Sequence, residues 1–479
     1  MCSSSTTKAG LLVGAVTLCV WTMLTANASL FAQQQASRLP SGLASGLASS
    51  LAPAPGSKIV SFSRKVGSYS EPSIAVNPQN PKQVVAAFQA PASVAYSEDA
   101  GESWQLASGT VPENYKVSGD VSITYDVLGH AILCYIAFDK LGTPEYWAHN
   151  ATRNGVFTRR SFDGGKTWEA NAAPLDEQST HPDMPFEDKP YLVADNNPSS
   201  PYAGSLYVGW TEFSLAKSVI LFSRSGDGGI TWSQPFEISS HEGLPRDDNG
   251  AVEGFAAVAT PNGLLYAIWA DGEGIMLAES RDGGITFLPS RKIVDIAPAY
   301  FKVEGVERAN GFPQIAVDPR NGRLFVTWSD YRNGEVDIFC ATSNDRGRTW
   351  TRPVRVNTDP VHNGSDQFFQ WLAVDPSDGS ADIVFYDRRD DPDNRRAIVV
   401  LARSTNGGQS FTNYAWSDRA FDPGDQFIGD YTALTALNGR VYGAWTETAS
   451  TAGAPRTRLS TKSTLVRIGV ADFQTPAPQ

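Results

Sequence analysis

Short runs rich in β-branched and aromatic residues recur along the chain, each ended by glycine, proline, asparagine or aspartate, the punctuation that strands require. The runs come in pairs. First members begin near Ser73, Ser122, Tyr191, Phe255, Gln314, Trp371 and Thr432. Second members follow turns such as DPRNG and ALNG and read VVAAF, AILCYIAF, SLYVGW, LLYAIW, RLFVTW, ADIVFY and RVYGAW. The pattern predicts an all-β chain of seven hairpin units.

An eight-residue pattern punctuates these units: SEDAGESW from Ser97, SFDGGKTW from Ser161, SGDGGITW from Ser225, SRDGGITF from Ser280, SNDRGRTW from Ser343 and STNGGQSF from Ser404. The starts are 64, 64, 55, 63 and 61 residues apart, a period that marks one supersecondary unit per copy. The third position (Asp99, Asp163, Asp227, Asp282, Asp345, Asn406) can accept hydrogen bonds from its own turn, and the glycine two residues on tolerates positive φ. The closing Trp or Phe offers a large apolar surface to a neighbouring unit. Carboxylates repeated in this way serve the turn, so the copies are not read as a metal or catalytic site.

These octapeptides resemble the Asp-box, or BNR, repeats of sialidases and several other secreted propellers. The resemblance covers nearly the whole chain after its N-terminal segments and implies a single β-propeller. The sialidase propeller has six blades. The strand pairs here predict seven, with Asp-box turns in six units, and six blades return if one first-member strand is an insertion. In the seventh unit Ser460-Thr461-Lys462-Ser463-Thr464 stands where a box is due. Its third strand is expected over Arg456–Thr461, and its outer strand is either Thr464–Val470 or Lys58–Ser63, the latter closing the ring through the two chain ends.

The chain has 479 residues, 19% of them charged, and a formal net charge of −12, which leaves no electrostatic footprint for nucleic acid. Lys8 precedes an apolar run, Gly10–Leu24, and Ala26-Asn27-Ala28 is a small-x-small cleavage site, so residues 1–28 read as a signal peptide and the protein as secreted, extracellular or periplasmic. A retained anchor is the alternative, though the apolar run is short for a span. Residues 29–57 are rich in Ser, Ala, Gly and Pro and read as a flexible leader, with the propeller over 58–479. Cys134 and Cys340 fall in apolar runs and read as buried free thiols. The five histidines show no zinc-ligand spacing, and no metal or other cofactor is expected. The run Asp387–Arg396 (DRRDDPDNRR) carries four arginines against its acids and reads as a salt-bridged loop rather than a calcium site.

Propeller topology sorts residues by face. The boxes share one end with the first-to-second turns. At the other end Glu71, Asp120, Asp188-Lys189, Glu253 and Asp430-Tyr431 enter first strands, while Glu212, Asp271, Asp330-Tyr331-Arg332, Asp387-Arg388-Arg389 and Glu447 leave second strands. Charged side chains from several blades aimed at one mouth suit a polar ligand, and they equally suit strand-end caps paired to neighbouring arginines.

The last hairpin carries a further resemblance. Sialidases place a Tyr nucleophile at the start of a late inner strand, followed by Ser-x-Leu and a Glu in the next strand. Here Tyr431-Thr432-Ala433-Leu434 is followed by RVYGAWTE, ending at Glu447. A phenol activated by a base approaches an anomeric centre that bears a carboxylate with less repulsion than a carboxylate nucleophile would. The resemblance implies Tyr431 as nucleophile, assisted by Glu253 or Glu447, Asp120 as the best-placed acid, and Arg332, Arg388 and Arg389 as the grip on an anionic sugar, with Asp188 and Asp430 also lining the substrate site. The family's first Arg, in a Phe/Tyr-Arg-Ile-Pro motif, is replaced by Glu71-Pro72-Ser73-Ile74. Two functions remain open: a secreted sialidase-like glycoside hydrolase, including an exo-sialidase, and a non-catalytic propeller that binds glycan or protein. Either way the expected partner is a glycan or glycoconjugate, met by a monomer with no membrane contact after signal cleavage.

Overall fold

The computed structural model describes residues 49–474 except 62–68, 90–91, 111–114, 116, 141–151, 180–184, 246–249, 273, 298–301, 310, 425 and 449–463. The signal peptide, the leader up to residue 48 and the run Arg456–Ser463 therefore lie outside the described residues. The strand pairs of the sequence become seven four-stranded antiparallel sheets, a seven-bladed β-propeller with no helix among the described residues. Blade 1 holds β2 (Ser73–Val76), β3 (Val84–Phe88), β4 (Ser93–Ser97) and β5 (Gln105–Leu106); blade 2 holds β6 (Val117–Tyr125), β7 (Ala131–Phe138), β8 (Arg153–Ser161) and β9 (Ala173–Ser179). Blade 3 is β10 (Phe186–Ala194), β11 (Leu206–Phe213), β12 (Ser218–Ser225) and β13 (Phe236–Glu237); blade 4 is β14 (Glu253–Ala259), β15 (Leu265–Asp271), β16 (Gly274–Ser280) and β17 (Arg291–Val294). Blade 5 is β18 (Gln314–Asp318), β19 (Arg323–Asp330), β20 (Asp337–Ser343) and β21 (Val354–Arg355); blade 6 is β22 (Gln367–Val374), β23 (Ala381–Asp387), β24 (Ile398–Ser404) and β25 (Thr412–Ala415).

Blade 7 is built from both ends of the chain. Its inner pair, β26 (Ala433–Leu437) and β27 (Arg440–Thr448), is followed by β28 (Thr464–Asp472) as third strand, and β1 (Lys58–Ser61) adds on the outside with Ile59 opposite Gly469. The third strand is thus Thr464–Asp472 and not Arg456–Thr461. The reason is the ladder: all nine residues of β27 pair with β28. Of the two outer-strand alternatives the N-terminal one is realised. The packed chain also begins before Lys58. Ala54 is buried, its N–H donates to the Ala415 carbonyl at 2.8 Å, and Asp472 N–H donates to Pro55 O at 2.8 Å.

The boxes act as latches between blades. In the second, Ser161 Oγ donates to Asp163 Oδ1 (2.8 Å) and accepts from Gly165 N–H (2.9 Å), while Thr167 donates through N–H (3.0 Å) and Oγ1 (2.6 Å) to Asp163. The turn so fixed brings Gly165, at φ 95°, against Val85 of blade 1, just as Gly101 lies against Val470 of blade 7 and Gly408 against Thr342 of blade 5. The closing aromatics pack backwards as well: Trp168 joins the blade 1 cluster around Val85 and Ala87, and Trp232 Nε1 donates to Thr158 Oγ1 of blade 2 at 3.1 Å. Cys134 and Cys340 are free and buried.

Each inner strand touches the next, and β26 returns to β2, so the inner strands ring one axis. Hydroxyls staple them: Ile123 N–H donates to Ser73 Oγ (3.0 Å), Leu192 N–H to Ser122 Oγ (2.9 Å) and Thr432 Oγ1 to Phe369 O (2.9 Å).

Candidate functional site

At the end opposite the boxes four of the seven inner strands share one deformation. Bulges break the pairing between Gly119 and Ser122, Asp188 and Tyr191, Glu253 and Ala256, and Phe368 and Trp371. Inside them Asp120, Lys189, Gly254 and Phe369 take positive φ, as does Glu71 just before β2. Left-handed backbone at non-glycine residues costs about 1–2 kcal/mol each, so the repeat of the feature around one mouth is the kind of strain that functional sites store.

There Asp120, Asp188, Glu253, Asp430 and Tyr431 come together, as their positions at strand starts predicted, with Glu71 and Lys189 among them. Asp120 is the hub. It accepts the Lys189 backbone N–H at 3.0 Å, and its carboxyl lies close enough to those of Glu71 and Asp188 to act on them. Burial, followed by the charge of Asp120, pushes both Glu71 and Asp188 well above the usual carboxylate range. Asp188 Oδ1 is sealed from water with no N–H or hydroxyl donor, which favours its neutral form. Burial also acts to raise Asp120, but interaction with Asp188 and Glu71 and the charge of Lys189 outweigh it and draw its carboxyl below the ordinary range.

The cations are arranged to match. Lys189 Nζ lies 3.9 Å from the centre of the Phe312 ring and 3.8 Å from that of Tyr431, a cation–π clamp. Burial draws its ammonium down from the usual range against the pull of Asp430 and Glu253. Arg308, from the link between β17 and β18, holds Asp430 through both Nε (2.9 Å) and Nη2, and lies over Phe427. Tyr431 packs on Trp371 at 5.8 Å, and burial and the acids around it push its phenol well up. The phenol is thus neutral, and no hydrogen bond reaches its hydroxyl among the described residues.

The remaining expected residues are engaged elsewhere. Glu447 is fully buried in blade 7, accepting from Trp445 Nε1 (2.8 Å) and Arg419 Nε (3.0 Å), with Arg467 at 3.6 Å. Arg332 turns back on Asp330 (2.8 Å), donates to Asp295 O and lies over Phe339. Arg389 turns back on Asp387 (2.8 Å) and reaches Asn413 (2.9 Å). Arg388 is wholly buried over Phe368, donating to Asn394 O at 2.8 Å, and burial pulls its guanidinium down to about 10. None of the three is brought to Tyr431; each locks a loop at a strand end. The site residues that sequence reasoning missed are Arg308 and Phe312. They sit in the long β17–β18 link, whose length was the only signal, while Glu71 was recognised at the mouth without a role.

A second acidic group lies between blades 2 and 3, where Asp176, Glu187 and Glu212 bring one oxygen each within 4.8 Å of one another. Burial raises all three, and Glu187 already accepts from Trp210 Nε1 and Gln178 Nε2. The geometry would admit a cation, but protein donors already satisfy its most buried member.

The family described as BNR/Asp-box repeat matches residues 159–170, which contain the second octapeptide. A sialidase of Micromonospora viridifaciens is 26% identical over 320 residues, 60% of this chain and 44% of that protein, so the match spans less than half the length of that relative. Among solved structures, a Dyadobacter fermentans protein of unknown function is similar at TM-score 0.45 and 14% identity, covering 87% of this chain and all of that one. An α-L-arabinofuranosidase of Fusarium graminearum is similar at TM-score 0.49 and 13% identity over 76% and 96% of the two chains. An intramolecular trans-sialidase of Ruminococcus gnavus is similar at TM-score 0.45 and 14% identity over 88% and 99%. Six latching octapeptides and seven blades make the chain an Asp-box repeat β-propeller, and over part of its length it is similar to a sialidase.

Proposed function

We propose that the protein is a glycoside hydrolase, exported by its N-terminal signal to act on extracellular glycans, with its reaction centre at the axial mouth opposite the boxes. One observation carries this reading: three buried acids, Glu71, Asp120 and Asp188, converge at the mouth, where burial pushes Glu71 and Asp188 up and the neighbours of Asp120 draw it down. Glycosidic cleavage needs an acid to protonate the leaving oxygen and a carboxylate to meet the cation that develops at the anomeric carbon. Asp188 or Glu71 suits the first task and Asp120 the second, with Glu253 and Asp430 adding to the negative field. Tyr431 serves in this scheme as a neutral wall and as one face of the Lys189 clamp, since the acids around it oppose a phenolate.

The experiment is release of chromophore from a panel of aryl glycosides across pH 3 to 9. A hydrolase of this design shows a bell-shaped profile, its acid limb set by Asp120 below the ordinary carboxylate range and its alkaline limb by Asp188 or Glu71 well above it. Absence of turnover across the panel refutes the reading, and the mouth then serves for binding alone.

A further inference from the structure

Resting on that reading, we infer that the substrate is a glycoside with no carboxylate on its anomeric carbon, a neutral aldoside rather than a sialoside. Five acids (Glu71, Asp120, Asp188, Glu253, Asp430) share the mouth with two bases, Lys189 and Arg308. Acids thus outnumber bases at the mouth by five to two. Neither base is placed for an incoming carboxylate. Recognition of a carboxylate favours a guanidinium fork, and that of Arg308 is closed on both oxygens of Asp430. The Lys189 ammonium is balanced by the rings of Phe312 and Tyr431. Arg332 and Arg389 are closed on Asp330 and Asp387.

An anomeric carboxylate would enter such a site against its net charge. The transition state of a neutral aldoside gains positive charge at the ring oxygen and anomeric carbon, and the same excess of acids stabilises it more than the ground state.

The test uses the full chain. 4-Nitrophenyl glycosides of neutral hexoses and pentoses, both anomers, are compared with 4-methylumbelliferyl α-sialoside. The inference expects kcat/KM for the best neutral glycoside to exceed that for the sialoside by at least about 100-fold, and is overturned if the sialoside is turned over equally well or better. Turnover of neither removes the hydrolase reading, and binding then decides the substrate class. Asp430→Asn keeps the shape of the side chain while releasing the Arg308 fork, so by calorimetry it should bind 2-deoxy-2,3-didehydro-N-acetylneuraminic acid at least about tenfold more tightly than the parent. Equal and tight binding by the parent overturns the inference. A melting curve confirms that the variant is folded, and Asp430→Ser supplies the same release should it prove unfolded.

Discussion

Gly165→Ala tests the claim that the boxes latch each blade to its predecessor. Gly165 sits at φ 95°, and a Cβ built on it would stand 2.4 Å from Val85 Cγ1 in blade 1. Two costs add: about 1–2 kcal/mol for a side chain in left-handed backbone and about 1–3 kcal/mol for overpacking, or about 2–5 kcal/mol together. For the packed unit Leu47–Gln479, an unfolding entropy of about 2.1 cal/mol/K per residue sums to ~0.9 kcal/mol/K, so the melting temperature should fall by about 2–5 °C. Gly322→Ala is the control: φ is 76° but nothing lies within 4 Å of its Cβ, leaving the backbone cost of about 1–2 kcal/mol alone. Scanning calorimetry at matched pH, with urea melts for the free energies, reads both variants. Val85→Ala removes the opposing methyl and should recover about 1–3 kcal/mol in the double variant relative to additivity. Equal destabilisation by Gly165→Ala and Gly322→Ala, or no coupling between Gly165 and Val85, would refute the latch.

Other consequences concern the charges. Glu71 and Asp188 are raised in the folded protein, so the stability they contribute is full below the unfolded carboxylate range near 4 and is lost as pH rises through their folded values. Melting temperature should therefore fall from mildly acidic to alkaline pH, and Glu71→Gln or Asp188→Asn should flatten the slope; a variant that tracks the parent at every pH contradicts the protonated acids. Arg419→Ala leaves Glu447 buried with a weakened partner set and should cost about 3–5 kcal/mol in a urea melt, with substrate KM unchanged. A large rise in KM with little loss of stability would put Glu447 back in the site.

Much of the fold was legible because the repeated turn has its own chemistry: a short acid, a glycine that must bend and an aromatic that must be covered mark each unit regardless of what surrounds it. Blade 7 was misread in its third strand because it lacks a box and because its outer strand arrives from the other end of the chain, a pairing that no local pattern encodes. The acids of the mouth were legible from their place just before inner strands. The arginines were not, since a position at a strand end does not reveal the partner. The local sign lay in the spacing Asp-x-Arg at Asp330 and Arg332 and at Asp387 and Arg389, where the side chain closes on the acid two residues back, as Arg320 does on Asp318. Arg308 lies in a link that repeats nothing elsewhere in the chain, and only the folded ring brings it to Asp430.

The central claim is that Asp120, packed beside Glu71 and Asp188, does the chemistry of the mouth. Its most direct test is the initial rate of glycoside hydrolysis by Asp120→Asn beside the parent, on whichever aryl glycoside the parent cleaves best. The account predicts a loss of about 10²–10⁴ in kcat/KM with the folded state retained, since the amide keeps the shape of the carboxylate but neither its charge nor its basicity. Parent-like hydrolysis by the folded Asp120→Asn protein would contradict it.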